Sequence, residues 1–230
     1  MPRKYSRKRS TKKKSTRRSN KPKKVRGGVT RKLRSTRRKV SDLTREIGLG
    51  HGGALNARIK GFVRPILTDG TIHQAVQDYL AGGAEKQRIM AKYGDISNWD
   101  VSNVTDMNHV FASPTSFARS FNEPLNRWNV SNVKNMDSMF AGAESFNQPL
   151  NDWNVSNVTI MDGMFAEASS FNQPLNEWNV SNVFGMFIMF GRASSFNQPL
   201  NDWNVSNVTR MGGMFRDAPS FNQPLNKWDV

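Results

Sequence analysis

Apolar residues in the second half of the chain fall on a fixed schedule. In the segment LNDWNVSNVTIMDGMFAEASSFNQ they occupy Leu150, Trp153, Val155, Val158, Met161, Met164, Phe165, Ala168 and Phe171, separated mainly by polar or small residues. Trp153 and Val155 are two apart, the spacing at which side chains share one face of a strand, with Asp152 and Asn154 on the other face. Val158, Met161, Met164 and Phe165 recur at three and four, the spacing of one helix face. Ser156 or Asn157 stands where a helical cap belongs, because either side chain accepts from the free N–H groups of a first turn. Pro174 stiffens the return. The pattern predicts one strand, one short helix and two bends per period.

The schedule returns along the chain. Trp128, Trp153, Trp178, Trp203 and Trp228 are each twenty-five residues apart, and Trp99 precedes them by twenty-nine, the extra four residues lying between Ala112 and Ser120. A fixed period of this size signals stacked repeats. One coil cannot cover its own flat faces, so equivalent side chains of successive coils are expected to lie over one another. Upstream, TIHQAVQDYL (Thr71 to Leu80) sets Ile72, Val76 and Leu80 on one helical face, with Asp69 or Thr71 as cap, and a second helix from Ala84 to Tyr93 ends at Gly94. The expected fold class is α/β, a leucine-rich-repeat-like solenoid of stacked strand–short-helix coils. Its expected parts are a disordered polybasic tail over 1–46, a Gly-containing linker over 47–70, a helical cap over 71–94 and five repeats of 25–29 residues over 95–230. The last repeat runs into a sixth strand at Val230 without a cap, so either the natural chain is longer or the open edge pairs with a partner or a second copy, and concentration-dependent self-association is expected.

Charge changes the picture at the front of the chain. The net charge is +16, yet residues 1–40 hold twenty Lys/Arg and no acid, leaving fourteen bases against eighteen acids afterwards. Such a segment buries too little apolar surface to offset its ordering entropy. The absence of cysteine leaves no disulfide framework and no thiolate metal site. No apolar run approaches the ~20 residues of a membrane span, and the basic start never gives way to a secretory h-region or an amphipathic presequence. An intracellular, nuclear or virion-associated location is expected.

The repeat text L-N-x-W-[ND]-V-S-N-V-x-x-M-x-x-M-F-x-x-A-x-S-F-N-[QE]-P, running from Ile96 to Val230, resembles the BspA-like leucine-rich repeat surface proteins, a bacterial and protist group also found in mycoplasma lipoproteins and large DNA viruses. The resemblance implies a leucine-rich-repeat-like solenoid used for protein contacts. Two departures stand out. Surface members carry export signals or a lipid-attachment cysteine, and this chain shows neither. Where many leucine-rich repeats place an asparagine after the strand, this chain has Val133, Val158, Val183 and Val208, so their buried asparagine ladder is not expected. The Lys/Arg/Ser/Thr-rich tail ahead of such repeats looks like proteins of large DNA viruses of protists.

Three groups of residues are candidates for function. The tail bases Arg3, Lys4, Arg7, Lys8, Arg9, Lys12, Lys13, Lys14, Arg17, Arg18, Lys21, Lys23, Lys24, Arg26, Arg31, Lys32, Arg34, Arg37, Arg38 and Lys39 alternate with hydroxyl residues and suit phosphate neutralisation without base reading. A nuclear-import signal or an acidic-protein dock has the same composition. The second group breaks the repeat: where sister coils carry Lys134, Asp137 and Ser138, or Thr209, Gly212 and Gly213, one coil carries Phe184, Phe187 and Ile188. An apolar cluster on an otherwise polar face marks an interface, and burial under the 47–70 linker is the plain alternative. The third is the outward row Asn98, Arg127, Asp152, Glu177, Asp202 and Lys227, whose acidic centre suits a basic segment and is otherwise a solvated face.

Other motifs carry less. GLGHGG at 48–53 contains a G-x-G-x-x-G but lacks the preceding strand and βαβ context of a dinucleotide site. Seven N-x-S/T sequons arise from the repeated letters. His51, His73 and His109 are dispersed, and regular coils repeat neutral Asn and Ser at every turn, so no catalytic constellation, metal site or cofactor is expected. The expected function is a non-enzymatic protein-interaction scaffold whose basic arm binds nucleic acid or another polyanion. The rival is a cell-surface adhesin-type repeat protein with no nucleic-acid role.

Overall fold

The computed structural model describes residues 64–112 and 116–230. Helix α1 (Asp69–Ala81) and helix α2 (Gly83–Tyr93) form where the periodicity places them. Thr68 precedes α1, and its N–H donates to Thr71 Oγ1 at 3.0 Å. Ile72, Ala75, Val76 and Tyr79 of α1, with Ile89 and Tyr93 of α2, are buried. They close over the first coil: the ring of Tyr79 meets Trp99 edge-on at 5.7 Å. A 3-10 turn, Ile96–Asn98, leads into that coil, and a four-residue helix α3 (Ser116–Arg119) occupies the four-residue insertion.

The repeats stack in register. Phe140, Phe165, Phe190 and Phe215 form one file of rings 5.5–5.7 Å apart, and Phe146, Phe171, Phe196 and Phe221 form a second at 6.0 Å. The indoles of Trp178 and Trp203 lie parallel at 6.4 Å. Along the repeats, the core is a continuous column of Trp, Leu, Val, Met, Ala and Phe, most of it less than 5 % exposed.

The expected α/β architecture does not form. Among the described residues there is no strand, and pairing is confined to single parallel bridges such as Asn135 to Ile160, Ile160 to Gly185 and Gly185 to Arg210. Nor is there a helix at Val158–Phe165; that stretch holds the bridge residue Ile160 and turns from Asp162 to Phe165. The physical reason is visible in the hydrogen bonds. Trp153 N–H donates to the Leu150 carbonyl, Val158 to Val155, Met164 to Met161, Ala168 to Phe165 and Phe171 to Ala168. These apolar residues close three-step turns opened by other apolar residues, while Met161 and Phe165 donate to the next coil, so spacing by three reflects serial turns in place of a helix.

Two positions per coil are left-handed, occupied by Ser138 and Gly142, Glu167 and Gly163, Ile188 and Arg192, Gly213 and Asp217. A left-handed residue interrupts any α-helix. From Met136 onward alternate N–H groups donate to the next coil, as Met136 to Ile160, Ser138 to Asp162 and Phe140 to Met164, while Met139 and Ala141 donate back within their own coil. Half of a strand ladder is thereby used up in turns.

On the tryptophan side, side chains hold the coils together. Trp153 Nε1 donates to Leu125 O, Trp178 to Leu150 O, Trp203 to Leu175 O and Trp228 to Leu200 O, at 2.9–3.0 Å. An asparagine file of a different kind exists, at positions other than the valines and not buried. Asn122, Asn147, Asn172 and Asn197 each accept on Oδ1 from the backbone N–H of the asparagine twenty-five residues on.

Candidate functional site

The face that carries Phe184 and Phe187 is a grid of four files. One file reads Lys134, Thr159, Phe184, Thr209; the next Asn135, Ile160, Gly185, Arg210; the third Asp137, Asp162, Phe187, Gly212; the fourth Ser138, Gly163, Ile188, Gly213. Phe184 and Phe187 remain 39 % and 49 % exposed, and Ile188 is half-buried. The ring of Phe187 leans over the next coil, where a Cβ on Gly212 would come within 3.3 Å of it, and a Cβ on Gly213 would lie 3.4 Å from Ile188. Glycines there leave a flat shelf beside the apolar ridge.

Ile188 is also strained. Its φ is 53°, in the left-handed region, at a file position that other coils fill with Ser138, Gly163 and Gly213. A β-branched side chain there costs about 1–2 kcal/mol. Strain retained at an exposed apolar ridge is an observation from which function is inferred.

Beneath the ridge lies the buried polar residue of the described core, Asp162, 7 % exposed. Its Oδ1 accepts the Phe187 N–H at 2.8 Å, and its Oδ2 is ion-paired with Arg210, two coils along. The carboxylate passes over Gly185, where an added Cβ would stand 2.9–3.2 Å from it. This trio went unrecognised in the sequence; the signal was Gly185 and Arg210 in a file that otherwise holds Asn135 and Ile160.

The outward row is solvated. Asp152, Glu177 and Asp202 are all exposed. Asp202 is paired with Lys227 at 2.6 Å, Glu177 accepts from Asn176, and Arg127 donates to Asn98. Pairing within the row is thus confined to its two ends, Asn98 with Arg127 and Asp202 with Lys227. The twenty tail bases, the GLGHGG segment and His51 lie outside the described residues. His73 bonds the Asn108 carbonyl at 2.7 Å, and His109 is exposed in a left-handed turn. Among the described residues no group of three or more His, Asp or Glu is placed to hold a metal ion. No described helix is long and apolar enough to cross a membrane.

Two overlapping segments, residues 84–187 and 150–230, match the family model described as Mycoplasma protein of unknown function, DUF285. No curated protein matches the chain significantly, and no solved structure does. The matched residues are well over half of the chain and take in most of helix α2 and the stacked coils, and the chain therefore belongs to the DUF285 family, a BspA-related family of repeat proteins.

Proposed function

We propose that this protein is a non-enzymatic interaction scaffold: the stacked coils dock a protein partner on the Phe184–Phe187–Ile188 ridge, and the basic N-terminal arm binds nucleic acid or another polyanion. The observation that carries the docking reading is the ridge itself. Two exposed phenylalanines and a left-handed isoleucine stand where sister coils place lysine, threonine, aspartate, serine or glycine. None of the three is needed for the column of core rings. Neither exposure nor strain serves the fold, so a partner that covers the ridge accounts for both.

The test compares the wild type with Phe184→Ser/Phe187→Ser and with Ile188→Gly. Each variant is assayed for thermal unfolding and for capture of proteins from cells of the source organism, identified by mass spectrometry. Ile188→Gly removes strain of about 1–2 kcal/mol against a glycine entropy cost of about 0.5–1 kcal/mol, so its melting temperature is expected to hold or rise. Both variants are expected to lose one discrete partner that Glu177→Gln retains. A cooperative unfolding transition that collapses with the phenylalanines, or capture that is unchanged in both variants, overturns the reading.

A further inference from the structure

Three coils place an acceptor for the third-file N–H, at Asn108, Asp137 and Phe187, and they do so in one of two ways. In two coils it comes from the coil itself: Asp106 Oδ1 accepts from Asn108 N–H, and Asn135 Oδ1 accepts from Asp137 N–H, both at 3.0 Å. In the ridge coil the equivalent residue is Gly185, which has no side chain to offer. The acceptor for Phe187 N–H is instead Asp162 of the preceding coil, reaching through the space that Gly185 leaves open. The same carboxylate then engages Arg210 of the following coil. One buried side chain thus ties three successive coils at the point where the ridge is built.

We infer that Asp162 is a positioning residue for the docking ridge: its carboxylate, admitted by Gly185 and anchored by Arg210, holds the Phe187 backbone so that Phe184, Phe187 and Ile188 stand out from the face. The inference rests on the docking reading for its purpose, while the hydrogen bond it names is testable without any partner. A residue that merely added stability would protect every amide of the stack in proportion. A positioning residue protects Phe187 selectively, and its role is transferable to any side chain that returns an acceptor to the same N–H.

The test is residue-resolved amide hydrogen exchange on the full chain, with Asp162→Ala, Asp162→Asn and the double variant Asp162→Ala/Gly185→Asn. In Asp162→Ala, exchange at Phe187 is expected to rise about tenfold or more, the equivalent of losing a charge-assisted hydrogen bond. Exchange at Asp137, held by its own coil's Asn135, is expected to stay unchanged. Asp162→Asn keeps an acceptor oxygen, and the double variant restores the in-coil arrangement of Asn135; both are expected to recover most of the protection at Phe187. Partner capture is expected to fall in Asp162→Ala and return in the double variant. Equal acceleration at Phe187 and Asp137, or no acceleration at Phe187, overturns the inference. Should Asp162→Ala fail to fold, the double variant decides alone: a folded chain with Phe187 protected supports it, and an unprotected Phe187 or an unfolded chain defeats it. The docking reading fails separately, if Phe184→Ser/Phe187→Ser leaves capture intact whatever the exchange rates show.

Discussion

Tryptophan in this chain is both a core residue and a hydrogen-bond donor between coils. Trp178 is 3 % exposed, and its indole N–H donates to the Leu150 carbonyl at 2.9 Å. That carbonyl also accepts the Trp153 backbone N–H, so loss of the indole does not orphan it. Trp178→Phe is therefore expected to cost about 1–2 kcal/mol, one net hydrogen bond plus a small packing defect, measured by urea unfolding. Trp228→Phe, whose ring is only partly buried, is expected to cost less. A larger loss at Trp228 than at Trp178 would show that the indole bond is not what holds adjacent coils. The inward positions were legible as letters because burial selects apolar side chains whatever the backbone does. The bonding role was hidden, since Nε1 and the carbonyl it reaches are twenty-eight residues apart.

One carboxylate of helix α1 gathers three donors of the first coil. Asp69, in its first turn, accepts from the Thr105 N–H at 2.6 Å, the Thr105 hydroxyl at 2.7 Å and the Asp106 N–H at 3.1 Å. Burial alone would raise its pKa, but the Thr105 side chain, the two backbone donors and the charge of His73 outweigh it and hold the group below the usual carboxylate range. A depressed folded pKa means that the unfolded chain takes up the proton first on acidification. The contribution of Asp69 is thus fully present above about pH 4 and is lost as pH falls through the folded value. Asp69→Asn is expected to lower the melting temperature at pH 7, with the gap to wild type closing on titration below about pH 4; a gap independent of pH would contradict the assignment. α1 and α2 were legible because helix periodicity there is met by true helices. In the repeats the same spacing of three arises from successive turns, and periodicity alone does not separate the two. What separates them is the pair of left-handed positions per coil, and letters as varied as Ser138, Glu167, Ile188 and Asp217 do not announce a positive φ.

The whole chain divides by charge, with twenty bases and no acid in the sequence of residues 1–40 and the remainder slightly acidic. Under the proposed role for the arm, binding to random-sequence DNA is governed by counterion release. If about eight phosphates are neutralised, log affinity is expected to fall against log salt with a slope of about −7, and deletion of residues 1–46 is expected to abolish binding. A slope near zero, or binding that survives the deletion, would remove nucleic acid from the proposal. The period of twenty-five, the identity of the core files and the position of the pattern-breaking coil were all readable from the letters, because stacking demands the same residue type at the same place in every coil. The backbone that carries them was not. Whether inward residues are presented by strands and helices or by serial turns depends on where each N–H finds its acceptor, and here Met161 and Phe165 find it one coil away while Met164, Ala168 and Phe171 find it within their own coil. The Asp162–Gly185–Arg210 contact has the same origin: residues forty-eight apart meet only after the coils have stacked, and the space that joins them is the side chain that glycine lacks.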